Sequence, residues 1–94
     1  MTDPDGDRVF VSLPAPLVQL FPGAVRQVAV PAATVGEMVD ALDARWPGMR
    51  DRLCDSTRRI RRQINVFVDG ERGTLATPLA PGAKVIVMMA IVGG

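Results

Sequence analysis

The last two residues, Gly93 and Gly94, have the most readily specified chemistry in the chain. A terminal α-carboxylate is ionised at neutral pH. It can attack the α-phosphate of a nucleotide, and sulfur or an amine can capture the resulting acyl adenylate. Since glycine has no side chain, the pair can enter a narrow channel on another protein. We therefore expect Gly94 to supply the reacting carboxylate and Gly93 to supply clearance.

The rest of the composition excludes several kinds of chemistry. The 94 residues include no histidine, so the commonest general base and metal ligand is missing and we expect no metal site. The lone Cys54 rules out an intramolecular disulfide; arginines nearby could lower its pKa, but a small buried hydrophobe is the favoured interpretation. A net charge of +1 argues against nonspecific nucleic-acid binding.

Residues 1–7 are acidic and polar, unlike a signal or transit peptide. The longest apolar run, residues 85–92, is far shorter than the roughly 20 residues that span a bilayer. We therefore expect a soluble protein of the cytoplasm, with one domain over residues 1–94, a flexible leader at 1–7 and a flexible functional tail at 92–94.

One helix and several strands must position the glycines. Thr34 and Glu37 have the spacing of a capping box, and apolar residues recur at helical spacing from Val35 to Trp46, where Pro47 should end the helix. A short helical piece is expected over 49–55. Strands are predicted at 8–13, 25–30, 64–68 and 84–91, with the last one covered on both faces, and the proline-rich stretch between the first two is predicted to be a loop.

This order predicts an α+β fold in which four to five strands form a mixed sheet with one main helix on one face. The first and last strands can lie parallel at the sheet centre, as in the β-grasp, or ubiquitin-like, arrangement. By alternation Phe10 and Phe67 face away from the helix, so we expect a partner surface on the open face. Its candidate residues are Phe10, Phe67, Met88, Ile91 and Val92. The arginines at 58, 59, 61 and 62 form either a solvated loop or a docking site for an acidic partner.

Several segments resemble the MoaD/ThiS family of ubiquitin-like sulfur carriers, most of all its MoaD-like/CysO branch. They are LDARWPGM (42–49), DRL (51–53), INVFVDGE (64–71), LATPL (75–79) and the tail MAIVGG (89–94). The resemblance implies that an enzyme resembling the ubiquitin-activating enzyme uses ATP to adenylate Gly94 and that a thiocarboxylate forms there. The resemblance also implies that a downstream synthase accepts the sulfur and that the chain is a co-substrate with no catalytic residue and no bound cofactor. From its charge and the length of its apolar run we expect no nucleic-acid or membrane partner.

Three alternatives stay open. The chain could be the small subunit of a molybdopterin synthase, a protein modifier that forms an isopeptide bond through Gly94, or a β-grasp interaction module with an inert tail. The acceptor pathway is equally open among cysteine, molybdopterin, thiamin, thiolated tRNA and secondary metabolites.

Overall fold

Short runs of β-branched residues build one mixed sheet in the computed structural model, which describes residues 8–90. The five strands are β1 (Arg8–Ser12), β2 (Gln27–Pro31), β3 (Ile64–Val68), β4 (Glu71–Arg72) and β5 (Lys84–Met89). The helices are α1 (Ala15–Val18), α2 (Val35–Arg45) and α3 (Met49–Leu53). The predicted leader at 1–7 and the tail from Ile91 to Gly94 lie outside the described residues.

The strand order β2-β1-β5-β3-β4 confirms the predicted β-grasp arrangement. β1 pairs parallel with β5 and antiparallel with β2, while β5 pairs antiparallel with β3. The hairpin from β3 to β4 turns at Asp69 and Gly70, whose φ angles of 48° and 91° are both positive. This Asp-Gly pair suits a two-residue hairpin turn, which requires positive φ at both positions.

The main helix begins and ends where its sequence signals predict. Thr34 is the N-cap, its hydroxyl accepting from the Glu37 amide at 3.1 Å, and Trp46 is the C-cap. The reciprocal half of the capping box differs from the standard motif, in which the Glu37 carboxylate would accept from the Thr34 amide: here it accepts from the Ala33 amide at 3.3 Å. α2 buries four side chains against the sheet: Val35, Met38, Val39 and Leu42.

α3 follows α2 closely because Asp43 caps its start. The Asp43 carboxylate accepts from the amides of Gly48 and Arg50 at 3.1 and 3.0 Å. The hydrogen bond from the Arg50 amide is the main cause that holds the Asp43 pKa below its ordinary value. Gly48 has a φ of 101°, and a Cβ there would lie 3.3 Å from the Phe21 ring, so this turn favours glycine.

α1 corrects the prediction of a loop between β1 and β2. Pro14 and Pro16 were taken as signs of irregular structure, but proline lacks only an amide that the first helical turn leaves unpaired anyway. Pro14 is the N-cap, and its carbonyl accepts from the amides of Leu17 and Val18. Leu17 is buried, so this single turn adds a side chain to the core.

β5 also differs from its prediction, since it is covered on one face only. Val85 and Val87 are buried beneath the helices, but Ile86 and Met88 are exposed on the other side. The apolar residues on both faces therefore have different roles. Those on the helix side fill the core, and no described element packs over the other side.

Candidate functional site

The open face of the sheet carries a cluster of exposed apolar side chains. Phe10 in β1 is 51% exposed, Ile86 in β5 47% and Met88 in β5 50%, while Phe67 in β3 is half-buried. We call these four residues the open-face patch. Sequence alternation placed Phe10 and Phe67 on this side correctly, and Met88 lies there as well.

The strand register puts Ile86 at the middle of this patch. Ile86 pairs with Phe67 on one side and with Ser12 on the other, and Met88 pairs with Asn65. Ile86 was absent from the predicted surface, although its even-numbered position in β5, shared with Met88, was the signal that could have identified it. Ile86 and Phe67 are therefore a direct cross-strand apolar pair, and Phe10 and Met88 lie on the same face beside it.

The predicted reactive tail continues from the strand that carries half of this patch. β5 ends at Met89, and the Ala90 amide donates to the Gln63 carbonyl at 2.7 Å. The tail residues Ile91, Val92, Gly93 and Gly94 follow directly but lie outside the described residues. Four residues span at most about 14 Å when fully extended.

Cys54 is a core residue with no chemical feature of a nucleophile. Its side chain is buried, and burial raises the pKa of its thiol, although the positive charge of Arg50 opposes that rise. The expectation that neighbouring arginines could depress this pKa is therefore wrong, because desolvation of the thiolate is the larger effect. The interpretation of Cys54 as a small buried hydrophobe is confirmed.

The described residues offer no site for a metal ion. Between Arg8 and Ala90, no three His, Cys, Asp or Glu side chains come together in a way that could hold one. No helix in this part of the chain has the length and apolar character to cross a membrane.

The predicted arginine cluster lies in a loop between α3 and β3. Asp55 shapes this loop, since its carboxylate accepts from the Thr57 hydroxyl at 2.6 Å and from the Arg59 amide at 3.1 Å. The Thr57 hydrogen bond is the largest cause of the lowered pKa of Asp55. Arg58 adopts a left-handed conformation with φ of 61°, which tightens the turn.

Comparison with known proteins gives a consistent family. No protein-family model matches the chain. It is 32% identical to the sulfur carrier protein CysO of Mycobacterium tuberculosis over 93 residues, which cover 93% of this chain and 99% of that protein.

Two solved structures extend the comparison to the fold. A chain in the crystal structure of the Amycolatopsis orientalis BexX/CysO complex matches with a TM-score of 0.81 and 30% identity, over 92% of this chain and 99% of that one. SAMP1 from Haloferax volcanii matches with a TM-score of 0.79 and 28% identity, over 93% and 99%.

The sequence identity to CysO extends over almost the full length of both proteins, and the β-grasp sheet matches in three dimensions. The chain therefore belongs to the CysO-type family of ubiquitin-like sulfur carrier proteins.

Proposed function

We propose that Gly94 is the residue that carries the sulfur. The observation that carries this proposal is the full-length similarity to CysO in a chain whose last two residues are glycines, with three residues between them and the end of its central strand at Met89. Gly94 supplies the carboxylate, and Gly93 keeps the approach to it free of side chains. We further propose that the chain is a co-substrate and that partner enzymes supply every catalytic group.

The proposed cycle has three steps. A carboxylate oxygen of Gly94 attacks the α-phosphorus of Mg-ATP, and pyrophosphate leaves. A sulfide-level donor then attacks the acyl carbon and expels AMP, which leaves a thiocarboxylate. Finally the thiocarboxylate sulfur displaces a leaving group from the acceptor substrate on a downstream synthase, which forms a thioester. Hydrolysis of this thioester restores the Gly94 carboxylate and leaves the sulfur on the acceptor as a thiol. Because activation consumes ATP, we place this cycle in the cytoplasm.

The partner that binds first is an activating enzyme resembling the ubiquitin-activating enzyme. We propose that it covers the open-face patch, together with Ile91 and Val92 of the tail. Two observations support this surface: the patch exposes large apolar side chains that no described element covers, and it adjoins the strand from which the tail continues. The BexX/CysO complex shows that a relative of this chain assembles with another protein.

Intact-mass spectrometry tests the chemistry directly. Full-length protein, incubated with its activating enzyme, Mg-ATP and a sulfide source, should gain the mass difference between one sulfur and one oxygen. A chain without Gly94 should bind the enzyme but gain nothing, because its carboxylate lies about 3.5 Å further back, and about 1 Å of misplacement can cost roughly 100-fold in rate. Deletion of residues 2–5 is the matched control and should leave the gain intact. Absence of the mass gain in the full-length protein would refute the sulfur-carrier chemistry.

A second candidate function is protein modification. The similarity to SAMP1, a small archaeal modifier protein, favours it specifically. The same acyl adenylate would then be captured by a lysine amine, which forms an isopeptide bond and releases AMP. Immunoblots of cell extract for high-mass conjugates distinguish the two functions, since a pure sulfur carrier yields none. Conjugates linked through Gly94 in the absence of any thiocarboxylate would favour the modifier.

A further inference from the structure

An arginine-rich groove lies at the β4 side of the sheet, away from the centre of the open-face patch. It encloses a volume of about 530 Å³ between the loop before β3, the outer edge of β3 and the chain after β4. We call it the arginine groove. Five arginines line it: Arg58, Arg59, Arg61, Arg62 and Arg72.

The positive charge of this groove is not neutralised within the described part of the chain. Between Arg8 and Ala90, none of the five arginines has a carboxylate within ion-pair distance, and the ion pairs present there join Arg50 to Asp40 and Asp43. Two of the five are oriented by neutral acceptors. Arg72 donates to the Asn65 side-chain oxygen at 2.8 Å, and Arg61 donates to the Asp51 carbonyl at 2.8 Å. The groove therefore presents a concentrated positive potential that attracts an anionic ligand.

Apart from the arginines, most of the groove lining is apolar, with Asn65 and Thr74 as its polar members. Ile64 and Val66 of β3 are buried, and Ile60 and Leu75 are half-buried beside them. A simple phosphate or a nucleic-acid backbone would make no apolar contact with such side chains. A ligand that combines negative charge with aliphatic groups satisfies both parts of the lining.

Along this groove, some backbone groups at the edge of β3 have no backbone hydrogen-bond partner among the described residues. The ladder to β4 ends with the bond from the Gly73 amide to the Val66 carbonyl at 2.8 Å, and the Ile64 amide donates to the Arg61 carbonyl at 2.9 Å. Within residues 8–90, the Val66 amide and the Ile64 carbonyl have no backbone partner. Both point outward, since groups two residues apart on a strand face the same edge. An extended peptide can bind such an edge as an additional strand.

We propose that the arginine groove binds an extended acidic segment of a partner protein, which adds to the free edge of β3. In that segment, alternate side chains are aliphatic and contact the half-buried Ile60 and Leu75, while the others are carboxylates that pair with the arginines. Its backbone donates to the Ile64 carbonyl and accepts from the Val66 amide. This binding requires neither Gly94 nor the open-face patch, so it goes beyond the sulfur-carrier function.

A peptide titration tests the charge requirement. The probe is a short, blocked, fluorescein-labelled peptide that alternates glutamate and valine, measured by anisotropy on the full-length protein at low and high salt. The double variant Arg59→Glu/Arg62→Glu should bind at least about tenfold more weakly, because reversed rim charges repel the ligand. The matched control is Arg45→Glu/Arg52→Glu, two exposed arginines outside the groove, which should retain most of the affinity. Equal losses in the two double variants would refute the site.

Two further measurements test the strand addition. N-methylation of alternate peptide amides should abolish binding, and hydrogen exchange of the Val66 amide should slow on complex formation, with the Phe67 amide as a reference that is already inside the sheet. Equal binding of the N-methylated peptide, or an unchanged Val66 exchange rate at saturation, would refute the added strand. Binding of single-stranded oligouridylate in place of the peptide would overturn the proposal in favour of a nucleic-acid groove.

Discussion

Ile86 gives the sharpest test of the proposed enzyme-binding surface. Its side chain is 47% exposed in the free protein, so a partner can remove about half of its area from water. Full burial of an isoleucine contributes about 1.5–3 kcal/mol. We therefore expect Ile86→Ala to weaken binding by about 1 kcal/mol, or roughly fivefold in Kd. Ile86→Asp should cost several times more, because it leaves an unpaired carboxylate in an apolar interface.

The assay is pyrophosphate release by the cognate activating enzyme at increasing concentrations of carrier. Both Ile86 variants should raise KM and leave kcat unchanged, since the tail that enters the active site is intact. Leu20→Ala is the matched control: Leu20 is 50% exposed, but it follows α1 and is not one of the open-face patch residues. A folded Ile86→Asp protein with the KM of the natural chain would refute the proposed surface. A comparable rise in KM for Leu20→Ala would show that any loss of exposed apolar area has the same effect.

The other predictions concern stability. Leu42→Ala removes a fully buried side chain from α2 and should lower the free energy of unfolding by about 3–4 kcal/mol in urea titrations; a loss below about 1 kcal/mol would contradict the packing of α2. Thr34→Ala should cost about 1 kcal/mol, while Thr34→Ser should retain most of the capping, and equal losses in the two would contradict the cap. The Asp43 pKa lies below its ordinary value of 3.8, so its contribution is complete above that pH and is lost as pH falls further, through the folded pKa. Asp43→Asn should therefore be less stable at neutral pH and should lose stability less steeply in acid, as followed by urea titrations between neutral and acid pH; an unchanged acid dependence would contradict this role.

Local signals predicted the fold well where they agreed with tertiary packing. β3 was predicted with its observed limits, because five strand-forming residues precede an Asp-Gly turn. The capped start of α2 at Thr34 and its end before Pro47 were likewise readable from the chain. α1 was missed because Pro14 and Pro16 read as loop signals, and only the burial of Leu17 explains why the turn closes into a helix.

The candidate site was less accessible from sequence alone. Residue type and spacing do not distinguish an apolar strand residue in the core from one on a partner-binding surface. The sequence therefore predicts a covered face for Ile86, which the structure shows to be exposed. For the arginine groove, the sequence predicts only a basic loop over 58–62, either solvated or a docking site for an acidic partner. Its remaining parts, Arg72 and the free edge of β3, come from distant positions that only the folded sheet brings together.

The central position of β5 also affects how the chain reaches its native state. β5 is the last strand in sequence, yet it pairs with both β1 and β3, and the parallel pair joins Val11 to Val85. Because β1 and β5 are far apart in sequence, their pairing costs loop-closure entropy and slows folding. A nascent chain that stops before β5 lacks Val85 and Val87 and leaves β1 and β3 with open edges, the condition that promotes aggregation. The sheet can therefore be completed only after the chain has been synthesised at least through Met89, the residue from which the tail continues.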